Sequence, residues 1–271
     1  MDKLEIPDDQ VVAMEAVAPG LRGLKIAFVN VFGVEHQDGT WTLIDAAIPF
    51  SASRIKRWAE HEFGHPPTSI VLTHGHFDHV SAAKGLADTW DIPIYAHPLE
   101  FLYLTGQRAY PPPNWAAGGG VMPFMSPTFP RGPIDLGSRL LALRDAGSDS
   151  TLAEMPGWIL LHTPGHTPGH VSFFRESDRT LLVGDAFCTT RPESFFEANF
   201  LQNPELHGPP SYFTSNWDAA KASVRKLAQL DPATVAPGHG KPLSGATVAA
   251  SLRKLAAEFE RIAVPENLKA S

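Results

Sequence analysis

Three imidazoles and one carboxylate stand within six consecutive residues of this chain. His74, His76, Asp78 and His79 directly follow the apolar run 70–72, so a buried strand would end where the cluster begins. Imidazole nitrogens and carboxylate oxygens bind borderline cations such as zinc at about 2.0–2.2 Å. Because a tight turn can aim several side chains at one point, this spacing predicts a metal-binding turn.

Three further residues of ligand type stand at the ends of other apolar runs. His166 and His239 each follow a Pro-Gly pair, and Asp185 follows the apolar run 181–183. Pro-Gly pairs favour sharp turns, and glycine lets the backbone come close to a buried ion. Each position alone is a weak signal, but four repetitions of one arrangement predict a shared metal site.

Composition limits the classes of function. The chain has 271 residues, 43% of them hydrophobic, and a formal net charge of −7 without a basic run, which predicts no nucleic-acid binding. Residues 1–9 are acidic without an apolar stretch, and no run approaches 18 apolar residues, so we expect neither a signal peptide nor a membrane span. The single cysteine, Cys188, fits a reducing compartment, and we predict a cytoplasmic location.

Hydrophobic patterning predicts one α/β domain over residues 1–271. Strand-rich segments are interrupted by helical patterns at the middle and end of each half, which favours two facing sheets with outer helices. Predicted strands cover residues 11–17, 24–34, 41–45, 70–72, 92–95, 158–162, 171–174, 180–183 and 234–236, and predicted helices cover 51–63, 80–90, 217–230 and 248–262. Residues 105–135 are irregular, rich in proline and glycine but also in aromatic side chains, and we interpret them as an inserted lid.

The order of these ligand-type residues resembles the metallo-β-lactamase superfamily, from Asp45 to His239. The resemblance implies a four-layer αββα sandwich of two mixed sheets, with a dinuclear metal site at one edge. In this interpretation His74, His76 and His166 would hold one metal, Asp78, His79 and His239 would hold the other, and Asp185 would bridge both. Asp45 matches an early aspartate of the superfamily that orients ligands through hydrogen bonds.

Two divalent cations with a shared carboxylate can generate hydroxide from bound water at neutral pH. We expect Asp78 to orient that water as well as to bind metal. Because the donors are all imidazole or carboxylate, zinc is the first choice, and manganese and iron remain compatible.

Other residues receive weaker assignments. His170 is predicted to support the ligands from behind, and His97 stands on the rim with a possible substrate contact. Tyr212 lies between Asp185 and His239, an interval in which some lactonases of the superfamily use a tyrosine to support the substrate carbonyl. It is a second candidate for substrate contact, although packing of a helix start is the more common explanation for such a residue.

The predicted function is hydrolysis of a small ester, lactone or thioester by a hydroxide bound to two metals. A carboxylate at Asp185 favours the glyoxalase II and lactonase side of the superfamily, and residues 103–106 and 110–113 resemble a bacterial metallo-hydrolase subgroup of unassigned substrate. Two alternatives stay open: a mononuclear iron enzyme of the persulfide-dioxygenase type, and a catalytically silent binding protein with the same fold. The expected partner is a small-molecule substrate, and the oligomeric state is left open.

Overall fold

Strands and helices are connected mostly by short loops in the computed structural model, which describes residues 7, 10–144, 152–191 and 205–269. The chain divides into two units, Met1–Tyr110 with Gly132–Pro156, and Pro111–Arg131 with Gly157–Ser271. None of the helices in the described ranges has both the length and the apolar character needed to cross a bilayer. The predicted single domain over residues 1–271 stays a prediction.

The first unit is built on a mixed sheet whose strands lie side by side in chain order. Across the described residues, its strands are β1 (Val11–Ala18), β2 (Leu21–Ile26), β3 (Val29–Glu35), β4 (Trp41–Ile44), β5 (Ser69–Val71), β6 (Ile94–Ala96) and β7 (Leu140–Ala142). Strands β1 to β4 pair antiparallel, and β4 to β7 pair parallel. Its helices are α1 (Ala52–Phe63), α2 (Phe77–Val80), α3 (Ala83–Trp90) and α4 (Phe101–Leu104). The parallel strands β4, β5 and β6 therefore end at one edge, where their following loops can carry a site.

An aromatic cluster fixes α1 against the strand that leads to Asp45. The rings of Trp41 and Phe63 stack with centroids 4.0 Å apart, and Trp58 meets Trp41 edge-on at 6.2 Å. The indole N–H of Trp41 donates to the carbonyl of His65 at 2.9 Å, so this fully buried ring leaves no donor wasted. Burial of each large side chain contributes about 1.5–3 kcal/mol, which makes β4 a rigid support.

The second unit has its own mixed sheet, in the order β12-β11-β10-β9-β8. Its strands in the described ranges are β8 (Ile159–His162), β9 (Val171–Arg175), β10 (Thr180–Gly184), β11 (Thr234–Pro237) and β12 (Leu243–Ser244), and its helices are α5 (Val121–Met125), α6 (Trp217–Ala228), α7 (Val248–Ala257) and α8 (Phe259–Ile262). Strands β10 and β11 pair parallel, and the other neighbours pair antiparallel. Apolar faces of α6 and α7 join this sheet in one core that includes Leu181, Val224 and Leu252.

Three predicted elements are wrong in extent. The strand predicted over residues 24–34 is two strands, because Ala27 adopts φ 54° and turns the chain between β2 and β3. The helix predicted over 80–90 begins only at Ala83, as α3, because the one-turn helix α2 ends at Val80, and the helix predicted over 248–262 is broken into α7 and α8. Strands β7 and β12 were not predicted, because runs of three and two residues carry no readable alternation.

The predicted lid, residues 105–135, belongs to both units, with residues 111–131 in the second. Tyr110 and Met122 are buried, whereas Trp115 and Phe124 are 62% and 75% exposed. The segment is therefore packed through only part of its apolar side chains. Its role as a lid stays a prediction.

Candidate metal centre

In the first unit, the loop after β5 gathers the predicted cluster. His74, His76, Asp78 and His79 are all buried, with exposed fractions of 0%, 5%, 7% and 0%. His74 offers a ring nitrogen within 4.8 Å of one from His76 and of one from His79, and an oxygen of Asp78 is equally close to a nitrogen of His79. His76 is the extended residue before α2, and this one-turn helix then carries Asp78 and His79 back beside it.

Asp45 organises this loop from the end of β4. Its carboxylate accepts the backbone N–H of Thr73 and the hydroxyl of Thr73, both at 2.8 Å, and the Nδ1 of His79 at 2.8 Å. The residue sits at φ 61°, a conformation that aspartate tolerates better than most side chains. The structure thus places Asp45 where it can orient His79, as the superfamily resemblance implies.

The same contacts determine which ring nitrogens carry protons. The Thr73 hydroxyl gives its single hydrogen to Asp45, so it can only accept from the Nδ1 of His74, 3.1 Å away. His79 likewise donates Nδ1–H to a carboxylate. In a neutral imidazole this arrangement puts the lone pair on Nε2, the form that binds a metal.

In the second unit, three predicted ligands meet around one carboxylate oxygen. The Oδ2 of Asp185 lies 3.1 Å from the Nε2 of His239 and 3.4 Å from the Nε2 of His166. All three side chains are nearly inaccessible to solvent, with residue exposures of 1%, 4% and 3% for Asp185, His239 and His166. Asp185 follows β10 and His239 follows the parallel neighbour β11, which explains why they share one edge of this sheet.

Threonine also fixes the ring of His166. The Thr214 hydroxyl donates to the carbonyl of Pro210 at 2.8 Å, so it accepts from the Nδ1 of His166 at 3.3 Å. As for His74, this leaves Nε2 as the lone-pair nitrogen. Thr214 was not predicted as a functional residue, because it stands 48 residues from His166 with no local signal in the sequence.

His170 lies behind the carboxylate instead of beside its oxygens. Its Nδ1 faces the carbonyl of Thr163 at 3.1 Å, and its Nε2 accepts the backbone N–H of Asp185 at 2.8 Å. It thereby ties the turn after β8 to the end of β10. This position fits the predicted supporting role, which stays a prediction with respect to a metal.

His97 and Tyr212 are the two predicted candidates for substrate contact. His97 is half-buried, and its Nδ1 accepts the N–H of Leu99 at 3.2 Å, where it caps a 3₁₀ turn. Tyr212 is buried, and its ring meets Phe129 and Phe213 at centroid distances of 6.4 and 5.0 Å. Packing therefore accounts for Tyr212, and a substrate role for either residue stays a prediction.

The donor chemistry of the two sets fits divalent cations. Together they offer five imidazoles and two carboxylates, all with buried side chains, and Cys188 is a buried thiol. Isolated buried carboxylates are costly, whereas a carboxylate beside imidazole nitrogens suits zinc, manganese or iron. His74, His76, Asp78 and His79 are the residues of the first unit that would hold metal, and His166, Asp185 and His239 are those of the second.

Comparison with known families decides the assignment of the chain. The family model described as the metallo-beta-lactamase superfamily matches residues 25–239, which include every predicted ligand. The chain belongs to the metallo-β-lactamase superfamily. The expected α/β fold class with two mixed sheets is confirmed, and the chain is a member of a superfamily of metal-dependent hydrolases with a candidate His/Asp metal site.

Relatives and solved structures agree with this membership. The chain is 40% identical to the "Probable metallo-hydrolase YflN" of Bacillus subtilis (strain 168), over 90% of this chain and 93% of that protein. The crystal structure of the BLEG-1 B3 metallo-beta-lactamase is similar with a TM-score of 0.56 and 25% identity, covering 80% of this chain and 88% of that one. A di-iron-bound form of TTHA1623 matches with a TM-score of 0.54 and 24% identity over 86% of this chain and 93% of its own, which supports the fold.

Proposed function

We propose that this metallo-β-lactamase superfamily member hydrolyses a small ester, lactone or thioester with two divalent metal ions, zinc being the first choice. The ligands would be His74, His76 and His166 for one ion, and Asp78, His79 and His239 for the other, with Asp185 bridging. A cytoplasmic location and a small-molecule substrate belong to the same proposal. Nucleic acid is not expected as a partner.

The single observation that carries the dinuclear proposal is the position of the Asp185 carboxylate. One oxygen lies 3.1 Å from one imidazole nitrogen and 3.4 Å from another. Two ligands bound tetrahedrally to one ion at about 2.1 Å would be about 3.4 Å apart. The spacing therefore suits a carboxylate oxygen that would bind metal together with both His166 and His239.

When bound, the two cations would supply a nucleophile from water at neutral pH and would polarise the substrate carbonyl. The protein residues have separate tasks. Asp45 and Thr73 hold His79 and His74 in the metal-binding tautomer. Asp78, in the first turn of α2, is placed beside His79, where its carboxylate can accept a hydrogen bond from the attacking water.

Metal stoichiometry on freshly purified protein tests the site directly. Two divalent ions per chain are expected, and removing either half of the ligand set should lower that number. One iron per chain would instead favour the mononuclear persulfide-dioxygenase alternative.

A panel of esters, lactones and thioesters tests the chemistry. Asp78→Ala should lower turnover by at least about 100-fold, the smallest effect expected of a residue that handles a proton in the transition state. Asp218, an exposed aspartate in the first turn of α6, provides the matched control, and Asp218→Ala should keep full turnover. A wild type as inactive as Asp78→Ala that still binds a panel compound tightly would favour the silent binding protein.

A further inference from the structure

A buried glutamate lies under the metal-binding turn of the first unit. Glu100 ends the 3₁₀ turn Pro98–Glu100 and is fully buried. Its Oε2 accepts the backbone N–H of Gly75 at 3.1 Å. Gly75 stands between His74 and His76, so this hydrogen bond holds the peptide that joins two predicted ligands.

Tyr110 completes the contact from the other side. Its hydroxyl donates to the same oxygen of Glu100, and its ring lies edge-on to the ring of His76 with centroids 4.6 Å apart. Stacking on Tyr103 at 3.9 Å fixes the plane of the Tyr110 ring. Burial, together with the charge of Glu100, raises the pKa of Tyr110 well above 10, so the group remains a hydroxyl donor.

The backbone at Gly75 packs closely against the side chains around it. A Cβ added at Gly75 would lie 2.6 Å from the Tyr110 hydroxyl oxygen and 2.9 Å from Cδ2 of Leu104. Gly75 does not need a positive φ, so this close approach is the reason for glycine at the position. The backbone of the turn is therefore set by side chains that no ligand motif contains.

Holding the turn in advance changes how strongly a metal can bind. Hydrogen bonds from a backbone N–H to a carboxylate are about twice as strong as those between neutral groups. Each backbone residue that is already ordered saves conformational entropy when a ligand binds. Burying a carboxylate is costly, and the two donors from Gly75 and Tyr110 offset that cost.

We propose that Glu100 is a positioning residue for the metal site, acting through Gly75, with Tyr110 as the group that holds Glu100 and the His76 ring in place. The inference rests on the metal site of the proposed function and adds to it a set of residues outside the ligand motifs. It predicts that metal affinity depends on Glu100 and Tyr110, although neither binds metal.

Zinc affinity of chelator-stripped, folded protein is the measurement, by competition with a chromophoric chelator. Glu100→Gln and Tyr110→Phe should each weaken zinc binding by about 10–100-fold, the usual cost of losing a group that orients metal ligands. Matched controls are Glu60→Gln, an exposed glutamate of α1, and Tyr95→Phe, a half-buried tyrosine of β6, both expected to bind as the wild type does. Thermal unfolding of the metal-free variants identifies a merely structural role, which would lower the unfolding temperature without changing the zinc affinity.

Gly75→Ala tests the same contact by another route. It should weaken zinc binding, and combining it with Tyr110→Phe, which removes the nearest clashing atom, should give a loss smaller than the product of the two single losses. If Glu100→Gln and Tyr110→Phe fold and bind zinc within threefold of the wild type, the inference is wrong while the proposed function stands. If the wild type itself binds none of zinc, manganese and iron(II) tightly, both are overturned.

Discussion

At the scale of single residues, hydrogen bonds fix the tautomer of the histidine ligands as well as the position of their rings. The hydroxyl groups of Thr73 and Thr214 each donate their hydrogen to another acceptor, so each can only accept from an imidazole Nδ1. In their neutral form, His74 and His166 thereby present Nε2 as the lone-pair nitrogen. A neutral imidazole of fixed tautomer needs no proton release or ring flip to become a ligand.

Asp45→Asn is predicted to weaken metal binding by about 10–100-fold while leaving the backbone unchanged. Asparagine tolerates the φ of 61° at this position, so the substitution changes the hydrogen bonding and the charge of the side chain without straining the backbone. Its amide offers one acceptor oxygen, whereas the carboxylate accepts from two groups of Thr73 and from His79. At least one donor must then face the NH₂ group, and zinc titration of the stripped protein measures the loss.

The control for this change is Asp38→Asn, in an exposed turn where the carboxylate accepts from Thr40. Zinc affinity should not change in that variant. An Asp45→Asn protein with the zinc affinity of the wild type would show that the orientation of His79 does not depend on the carboxylate.

Such residues can be predicted from the sequence only where the groups that act together lie close together in the chain. His74, His76, Asp78 and His79 share one turn, so their spacing alone indicated a metal-binding cluster. Thr214 and Glu100 act across 48 and 25 residues, and nothing beside them in the chain indicates a partner. Asp45 was found through family resemblance, because a strand-end aspartate by itself indicates only a turn.

At the scale of elements, the ligands depend on turns that only glycine can form. Gly165, directly before His166, adopts φ 136°, and a Cβ there would lie 2.3 Å from the backbone nitrogen of Ala220 in α6. The start of α6 can therefore pack directly against the turn. The N–H groups of Ser215 and Asn216 donate to the Gly165 carbonyl at 3.1 and 2.9 Å, which joins the turn to the helix.

Gly165→Ala is predicted to destabilise the protein by at least about 1 kcal/mol more than Gly157→Ala. Both glycines have positive φ, so both substitutions strain the backbone, but a Cβ at Gly157 would meet nothing within 4 Å. The difference in the free energy of unfolding, measured with urea, isolates the collision with α6. An equal loss of unfolding free energy in the two variants would mean that α6 can move away from the added Cβ without destabilising the protein.

The ends of helices and strands, too, could be predicted only where the signal lies close by in the sequence. The helices α1 and α6 were predicted within two residues of each end, because their apolar periodicity is complete in the sequence. The turn between β2 and β3 was missed because Ala27 and Phe28 are apolar and carry no turn signal. What closes that turn is pairing with strand partners, since Leu24 opposes Val31 and Ile26 opposes Val29.

At the scale of the whole molecule, the predicted ligands are divided between the two units. The first contributes four residues from one loop, and the second contributes three residues from three separate strand ends. If both sets bind the same ions, metal binding and unfolding must be linked, because an unfolded chain cannot present all these residues together.

Metal removal should therefore lower stability. Free zinc at about 1,000 times its dissociation constant would add about 4 kcal/mol, which corresponds to a shift in Tm on the order of 10 °C for a chain of this size. Calorimetry of chelator-stripped protein with and without zinc measures that shift.

His76→Ala in the first set and His166→Ala in the second should each lower both the zinc-induced shift and the metal content. His162→Ala is the matched control, because His162 is a half-buried strand residue whose Nε2 lies 2.9 Å from the carbonyl oxygen of Pro168. Joint binding requires that the losses in His76→Ala and His166→Ala be non-additive, since each variant impairs the same ion. Strictly additive losses, with one ion retained per intact set, would mean that each unit binds metal by itself.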